Sequence, residues 1–316
     1  MHNLWYNEKM DLTSPKIIKD ILNKYETRPS KGLGQNFLID KNVLEKIIQA
    51  ADIKPTDTIL EIGPGIGALT QALAEKAGKV IAVEKDETMV KILTDVLSAS
   101  NIKNVQLVNA DILKIDVLSF KFQASGYKVV SNIPYYITAP LIRKFLEDKN
   151  QPKEIILMLQ KEVAQRICAS PPTNFGNKKA ADNGEEPNPK LVGGKMSLLA
   201  VSVQFYADAK IISYVSKSCF HPAPKVDSAI IKITPYGHPV SVDPNLFFKI
   251  VKAGFSQPRK QLASNLSKML KIEKEKTNQW LLKNGIKPTQ RAETLSVGDW
   301  QNLTKTTAMP GIAAAP

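Results

Sequence analysis

The chain has 316 residues, 43% of them hydrophobic, enough for one large folded domain and a smaller one. Lys and Arg number 43 against 30 Asp and Glu, a formal charge of +13, which points to a polyanionic partner, nucleic acid before membrane, although basic charge also serves solubility alone. The cysteine count argues against a disulfide framework or a zinc centre: Cys168 and Cys219 have no partner at metal-ligand spacing, and His2, His221 and His238 are scattered, so no metal is expected.

In chain order, "MHNLWYNEKMDL" lacks the apolar core of a secretory signal, and no window approaches the roughly 20 apolar residues of a membrane span. The expectation is a cytoplasmic protein without a membrane partner. "TSPKIIKDILNKY" (13–25) predicts a helix, with Thr13 or Ser14 as N-cap, Pro15 at the first helical position and Ile17, Ile18, Ile21 and Leu22 at helical spacing. A second helix is predicted at "KNVLEKIIQAA". Short apolar runs at "TILEI", "VIAVE", "VQLVN", "KVVSN", "EIILMLQ", "VSVQFY" and "SAIIKIT" then read as strands, with helices such as "ALTQALAEKA" and "ETMVKILTDVL" between the early ones. This alternation predicts an α/β fold, a mostly parallel sheet with helices on both faces, over residues 1–235. Within it, residues 170–195 combine Pro, Asn, Gly and charge and read as a flexible surface insertion. Residues 236–308 carry "NLFFKIVKAGF", "RKQLASNLSKML" and "TNQWLLKNG", a small lysine-rich helical domain, and 309–316 read as a disordered tail.

"TILEI" runs into "GPGIGALTQALA", which places Gly63, Gly65 and Gly67 at a strand-to-helix turn where backbone can pass close to a ligand. Gly63, Gly65 and Ala68 also satisfy a dinucleotide fingerprint. Glu84 ends the next strand, where a carboxylate can accept from both hydroxyls of an adenosine ribose, and Asp111 ends the third, within reach of an adenine amino group. Both NAD and S-adenosylmethionine satisfy this much.

The fourth strand leads into Asn132-Ile133-Pro134-Tyr135, which contains no nucleophile and no general base. Asn-Ile-Pro-Tyr after a fourth strand resembles the signature of S-adenosylmethionine-dependent methyltransferases acting on the amino group of nucleic-acid adenine. In order, "KGLGQNFL" (31–38), "EIGPGIGALT" (61–70), "VEKD" (83–86), "NADIL" (109–113), "SNIPYYI" (131–137), "FHPAPKVDSAI" (220–230) and "FSQPRKQL" (255–262) resemble the rRNA adenine N6,N6-dimethyltransferase family over nearly the whole chain. The resemblance implies a Rossmann-like class I methyltransferase domain, S-adenosyl-L-methionine as cofactor, and no hydride-transfer residues for a dehydrogenase. It implies cofactor contacts at Gln35 and Asn36; Leu38, Glu61, Lys85 and Ile112 in the same segments are further expected contacts, while Phe37 and Leu38 equally fit a core role.

An adenine amine is a poor nucleophile because its lone pair is delocalised into the ring. If the Asn132 side-chain oxygen and the carbonyl of Ile133 or Pro134 accept its two N–H groups, the lone pair turns toward the methyl group to be transferred. Pro134 stiffens the turn and Tyr135 offers a stacking face. By resemblance, Phe220 supplies the second wall for the extruded base. Phosphate contact is assigned to the basic helical domain, at Lys252, Arg259, Lys260 and Lys268.

The leading reading is a monomeric enzyme that dimethylates two adjacent adenosines in the 3′-terminal hairpin of small-subunit (16S) rRNA, in the pre-30S particle during ribosome assembly. "GLGQNFLID" and "RAETLSVGDWQNL" resemble that group more than its sister group, which methylates large-subunit (23S) rRNA and confers antibiotic resistance. A non-catalytic RNA-binding or transcription factor on the same fold is the other alternative. The chain departs from the family pattern in the 170–195 insertion and in Pro258, where a basic residue is more usual before "RK".

Overall fold

The computed structural model describes residues 10–120, 122, 126–171, 192–237 and 241–306. The expected tail at 309–316 and most of the expected insertion, residues 172–191, lie outside them. Among the described residues no helix is long and apolar enough to cross a membrane.

Helix α1 (Pro15–Lys24) begins at Pro15, whose fixed φ suits a first turn, and buries Ile18, Ile21 and Leu22; Ser14 stands at the N-cap but makes no capping bond. Strand β1 (Phe37–Leu38) leads to α2 (Lys41–Ala51), capped by Asp40, whose carboxylate accepts from Val43 N. Then come β2 (Thr58–Ile62), α3 (Ala68–Ala74), β3 (Lys79–Glu84), α4 (Glu87–Ala99), β4 (Val105–Asn109), β5 (Lys128–Asn132), α5 (Thr138–Glu147), β6 (Glu154–Gln160) and α6 (Lys161–Ile167). The ends of the 170–195 segment form a short parallel pair, β7 (Ala169–Ser170) with β8 (Val192–Gly193). Helix α7 (Leu198–Gln204), β9 (Ala207–Val215), β10 (Phe220–His221) and β11 (Ser228–Pro235) follow, then α8 (Pro244–Gly254), α9 (Leu262–Leu270), α10 (Lys274–Lys283) and α11 (Val297–Lys305).

One predicted strand is a helix. "VSVQFY" forms the body and end of α7, because the Ser197 side chain caps Ala200 N, and Ala200, Val201 and Val203 are buried by packing that overrides the β preference of valine. The strand lies just beyond, at β9, where Ala207, Ala209 and Ile211 are buried at every second residue.

The main sheet has the order β4-β3-β2-β5-β6-β11-β9. Strands β4, β3, β2, β5 and β6 are parallel, and β11 runs antiparallel to β6. All five residues of β2 are buried, as a central parallel strand covered on both faces requires. Helices α2 and α3 pack through Val43, Ile47, Leu69 and Leu73 against Ile59, Val130 and Ile156 of the sheet, while α1 and α4 meet through Ile18, Ile21, Met89, Ile92 and Val96. The order reverses between β2 and β5, so the carboxyl ends of these strands form a topological switch point, where open α/β sheets bind ligands.

The chain forms two compact units, residues 1–164 with 211–235, and residues 165–210 with 236–316. The second takes in 165–210, which the sequence reading groups with the first domain. The division at 235 concerns which part serves the cofactor and which the RNA, and it stands as a proposal. Within the second unit, Phe205 stacks on Phe247 at 4.0 Å between ring centroids, and α8 packs against α9 and α11. Gly254, at the end of α8, lets the Trp300 ring approach so closely that an added Cβ would lie 2.3 Å from it.

Candidate active site

Beyond β2 the backbone turns through Gly63 (φ 65°), Gly65 (φ 58°) and Gly67 (φ 99°), a left-handed sequence that side chains other than glycine resist. The glycines also make room: a Cβ at Gly63 would meet Pro134 at 3.4 Å, and one at Gly65 the Phe37 ring at 3.2 Å. Gly67 serves differently. It packs under Leu93, 2.4 Å from where its Cβ would stand, and does not line the cavity.

That cavity opens at the switch point. Its walls bring together Gln35, Asn36, Leu38, Glu61, Gly63, Gly65, Glu84, Lys85, Asp111, Ile112, Asn132, Ile133, Pro134 and Tyr135, residues named from the sequence and contributed by five separate segments. Phe220 is not among them. It is 3% exposed, pairs with Leu38 between β10 and β1, and is packed with Val43, Ile47 and Val215 in the core. It packs here as a core aromatic, and its part as the second wall for an extruded base stands as a proposal. Tyr136, not among the residues expected from the sequence, also lines the cavity and is 55% exposed. The signal for it was the second tyrosine of "NIPYY", an exposed aromatic next to a turn.

Glu84, at the end of β3, is buried, and its carboxylate accepts from Lys85 N (2.8 Å), Asp86 N (2.9 Å) and Gly65 N (3.1 Å). Burial raises its pKa despite these three bonds. The last of them ties the glycine turn to the neighbouring strand. Asp111 accepts from Leu113 N at 3.0 Å and pairs with Lys85 Nζ at 3.1 Å. Burial works against its ionisation, but Lys85 and the Leu113 amide hold the carboxyl below its usual range.

Glu61 is 1% exposed, and its Oε2 has no hydrogen-bond partner. Burial, with the Glu84 carboxylate adding to it, pushes its pKa up to about 8. At neutral pH that carboxyl is therefore mostly protonated, and a cationic amine brought against its unpartnered oxygen would favour the carboxylate.

Residues 33–36 line the cavity at the end of a turn in which Gln35 N donates to Ser30 O at 3.1 Å. The Gln35 side chain donates to Asp86 Oδ2 (2.8 Å), which fastens this segment to the N-cap of α4, and accepts from Ser30 N (2.8 Å) within the segment itself. Asn36 donates through Nδ2 to Gly34 O at 3.0 Å, and its carbonyl receives Asn132 Nδ2 at 3.4 Å. With its amide nitrogen so directed, Asn132 presents its oxygen as the uncommitted end. Pro134 O accepts from Ile137 N at 3.2 Å, which leaves the Ile133 carbonyl as the less committed backbone acceptor. The Tyr135 hydroxyl is hydrogen-bonded to Ser228 Oγ at 2.7 Å, and burial raises the pKa of the phenol, so it remains protonated at neutral pH.

Among the described residues no three His, Cys, Asp or Glu side chains gather as a metal site. In the second unit, Lys252 lies on α8, Lys268 on α9, and Arg259 and Lys260 on the connection between them, all exposed.

A family model described as ribosomal RNA adenine dimethylase matches residues 26–179 and 185–309. The chain belongs to this family. A curated relative from Alkaliphilus metalliredigens, ribosomal RNA small subunit methyltransferase A, is 41% identical, with 94% of this chain and 98% of the relative covered. Among solved structures, a dimethyladenosine transferase from Plasmodium falciparum matches with a TM-score of 0.64 and 26% identity, over 84% of this chain and 95% of that one. The 23S rRNA methyltransferase ErmE shares the fold, with a TM-score of 0.63 and 24% identity over 85% and 98% of the two chains. A dimethylase of adenine requires a methyl donor, and the cavity at the switch point is where this fold binds such a ligand.

If Glu84 meets a ribose as expected, Glu84→Ala will weaken donor affinity first, with a smaller effect on turnover at saturating donor. Calorimetric titration with S-adenosylmethionine checks this, and an unchanged affinity would remove Glu84 from the site.

Proposed function

We propose that this protein transfers methyl groups from S-adenosyl-L-methionine to the N6 amines of two adjacent adenosines in the 3′-terminal hairpin of 16S rRNA, giving N6,N6-dimethyladenosine. The observation that carries the reading is the placement of Asn132-Ile133-Pro134-Tyr135 at the carboxyl end of β5, on the wall of the same cavity as the glycine turn of β2. Small-subunit specificity draws on the 41% identical relative; the likeness to the 23S enzyme bears on fold alone. The same reading makes the pre-30S particle the partner, the cytoplasm the location and the monomer the working state.

The residues fit the cofactor. The unpartnered Glu61 oxygen suits its amino group, Glu84 its ribose hydroxyls, and Asp111 with Ile112 its adenine. When bound, S-adenosylmethionine supplies a methyl group carried on a positively charged sulfur. The protein's share is orientation. Asn132 Oδ1 and the Ile133 carbonyl accept the two N–H groups of the target amine, and so direct its lone pair out of the ring system. Tyr135, anchored through Ser228, holds a ring face for the base. No strong base is needed, because the amine becomes acidic once methylated and water takes the proton. The decisive experiment is to map dimethylated adenosines in rRNA from cells with and without the gene; an unchanged small-subunit pattern overturns the assignment.

Arg259 and Lys260, exposed on the α8–α9 connection, are proposed to contact phosphate together with Lys252 and Lys268. Neutralising Arg259 and Lys260 together should weaken RNA binding and lower the log–log salt slope by roughly one to two, with donor affinity unchanged. A double variant with the wild-type slope places the RNA elsewhere.

A further inference from the structure

The first unit carries a second basic and aromatic surface, separate from the cavity wall. Strands β5 and β6 are parallel with Asn132 opposite Met158, so Lys161, three residues on, lies about 10 Å beyond that level at the same end of the sheet. Gln160 pairs with Ser228, the residue that anchors the Tyr135 hydroxyl. The next residue on each chain continues the link: Lys161 N donates to Asp227 O at 3.0 Å, and Asp227 Oδ1 accepts from Lys217 N at 3.1 Å. Asp227 therefore holds the backbones of two lysines one residue away from the tyrosine anchor.

The charges themselves are left available. Lys161 Nζ stands 3.9 Å from Asp227 Oδ2, a wide pair between half-exposed side chains that offsets little of the ammonium charge. The same ammonium lies 5.3 Å from the centre of the Tyr214 ring, and Tyr214 is 48% exposed on the edge strand β9. Lys217, tied to Asp227 through its backbone, is exposed, as are Lys225, two residues before Asp227, and the acid Glu162, next to Lys161. A half-exposed aromatic ring next to an incompletely neutralised ammonium is a pairing by which proteins hold single-stranded nucleic acid, the ring for a base and the cation for its phosphate.

We propose that Lys161 and Tyr214 form a subsite for a nucleotide flanking the target adenosine, with the Tyr214 ring stacking on its base and Lys161 contacting its phosphate. The proposal rests on the reading of the substrate as RNA. It also gives Asp227 a use within "FHPAPKVDSAI", as the residue that sets this subsite relative to Tyr135.

The test uses the full chain, S-adenosylmethionine and an RNA hairpin with two adjacent adenosines in its loop, measuring hairpin affinity over a salt series and methyl transfer in parallel. Tyr214→Ala should weaken hairpin binding about tenfold while Tyr214→Phe keeps it. Lys161→Gln should weaken it similarly and lower the log–log salt slope by about one, with Lys161→Arg restoring both. Donor affinity should be unchanged in all four. Wild-type hairpin affinity in either Tyr214→Ala or Lys161→Gln, with methylation by the unaltered protein intact, overturns the subsite alone and leaves these groups as edge-strand protection. Failure of the unaltered protein to methylate adenosine in any rRNA overturns the functional reading, and the subsite with it.

Discussion

Asn132→Ala should reduce methyl transfer by about a hundredfold or more, on the order of 3 kcal/mol in the barrier, while S-adenosylmethionine still binds with near-normal affinity. The reason lies in what the side chain is committed to. Its nitrogen donates to Asn36 O at 3.4 Å, a long bond whose loss costs the fold little, and its oxygen is left for substrate. A residue that acts only on the geometry of the reacting amine changes turnover and leaves donor binding alone. Single-turnover transfer to RNA, set beside calorimetry with the donor, separates the two. Equal losses in affinity and turnover would show that Asn132 builds the cavity instead of orienting the amine. Asn132→Asp sharpens the test, since it keeps the oxygen but loses the Asn36 contact.

The largest loss of stability is expected at the opposite end of the sheet, from Lys128→Met. Lys128 begins β5 and is 8% exposed, so its side-chain nitrogen must find its partners inside the fold. Its ammonium donates to Ala51 O and Asp52 O, both at 2.9 Å, and so closes the carbonyl end of α2, where the chain turns away through left-handed Asp52. It also pairs with Asp57 at 3.1 Å and reaches Glu154 at 3.6 Å, and Glu154 is shared with Lys232. Methionine fills the space but leaves two carbonyls and the Asp57 carboxylate without their donor, at a cost of about 3–5 kcal/mol. Denaturant unfolding should show a lower midpoint at an unchanged slope. The pH dependence carries a sign. Burial raises the Asp57 pKa, but the Lys54 amide and Lys128 outweigh it and hold the folded value below the ordinary 3.8. The stability Asp57 contributes is therefore fully present above that value and is lost as pH falls through the lowered folded pKa. The gap between the native protein and Lys128→Met should accordingly narrow in acid below about pH 4, and a constant gap would show that the Lys128–Asp57 pair is not its source.

Much of this molecule is legible in its sequence, and for a physical reason. The central strands "TILEI", "KVVSN" and "EIILMLQ" are buried along most of their length, each is built on a short apolar run, and their limits in the structure coincide with the segments read from the sequence. The site residues cluster where each strand gives way to Gly, Asn or an acid, and in a parallel sheet those ends fall on one edge. Local pattern therefore carried Gly63, Gly65, Glu84, Asp111 and Asn132 to a common cavity.

Other features depended on distance in space. "VSVQFY" has the composition of a strand, and only the Ser197 cap and the burial of its valines make it a helix. Phe220 and Gly67 belong to motifs that mark binding sites, but pairing with β1 draws one into the core, and the approach of Leu93 makes the other a packing glycine. Gln35 lines the cavity and also hydrogen-bonds Asp86, 51 residues away in the chain, a contact no local pattern announces. Lys128 and the Lys161–Tyr214 pair left no mark in the sequence at all: a lysine in a charged chain is unremarkable until the fold buries it under a helix end or sets it over a ring. By itself the sequence determined the fold class, the family and the strand-end residues of the site, since each follows from the order of local patterns. Only the tertiary structure decided which side chains face the cavity, the core or solvent, because that depends on contacts between segments that no local pattern encodes.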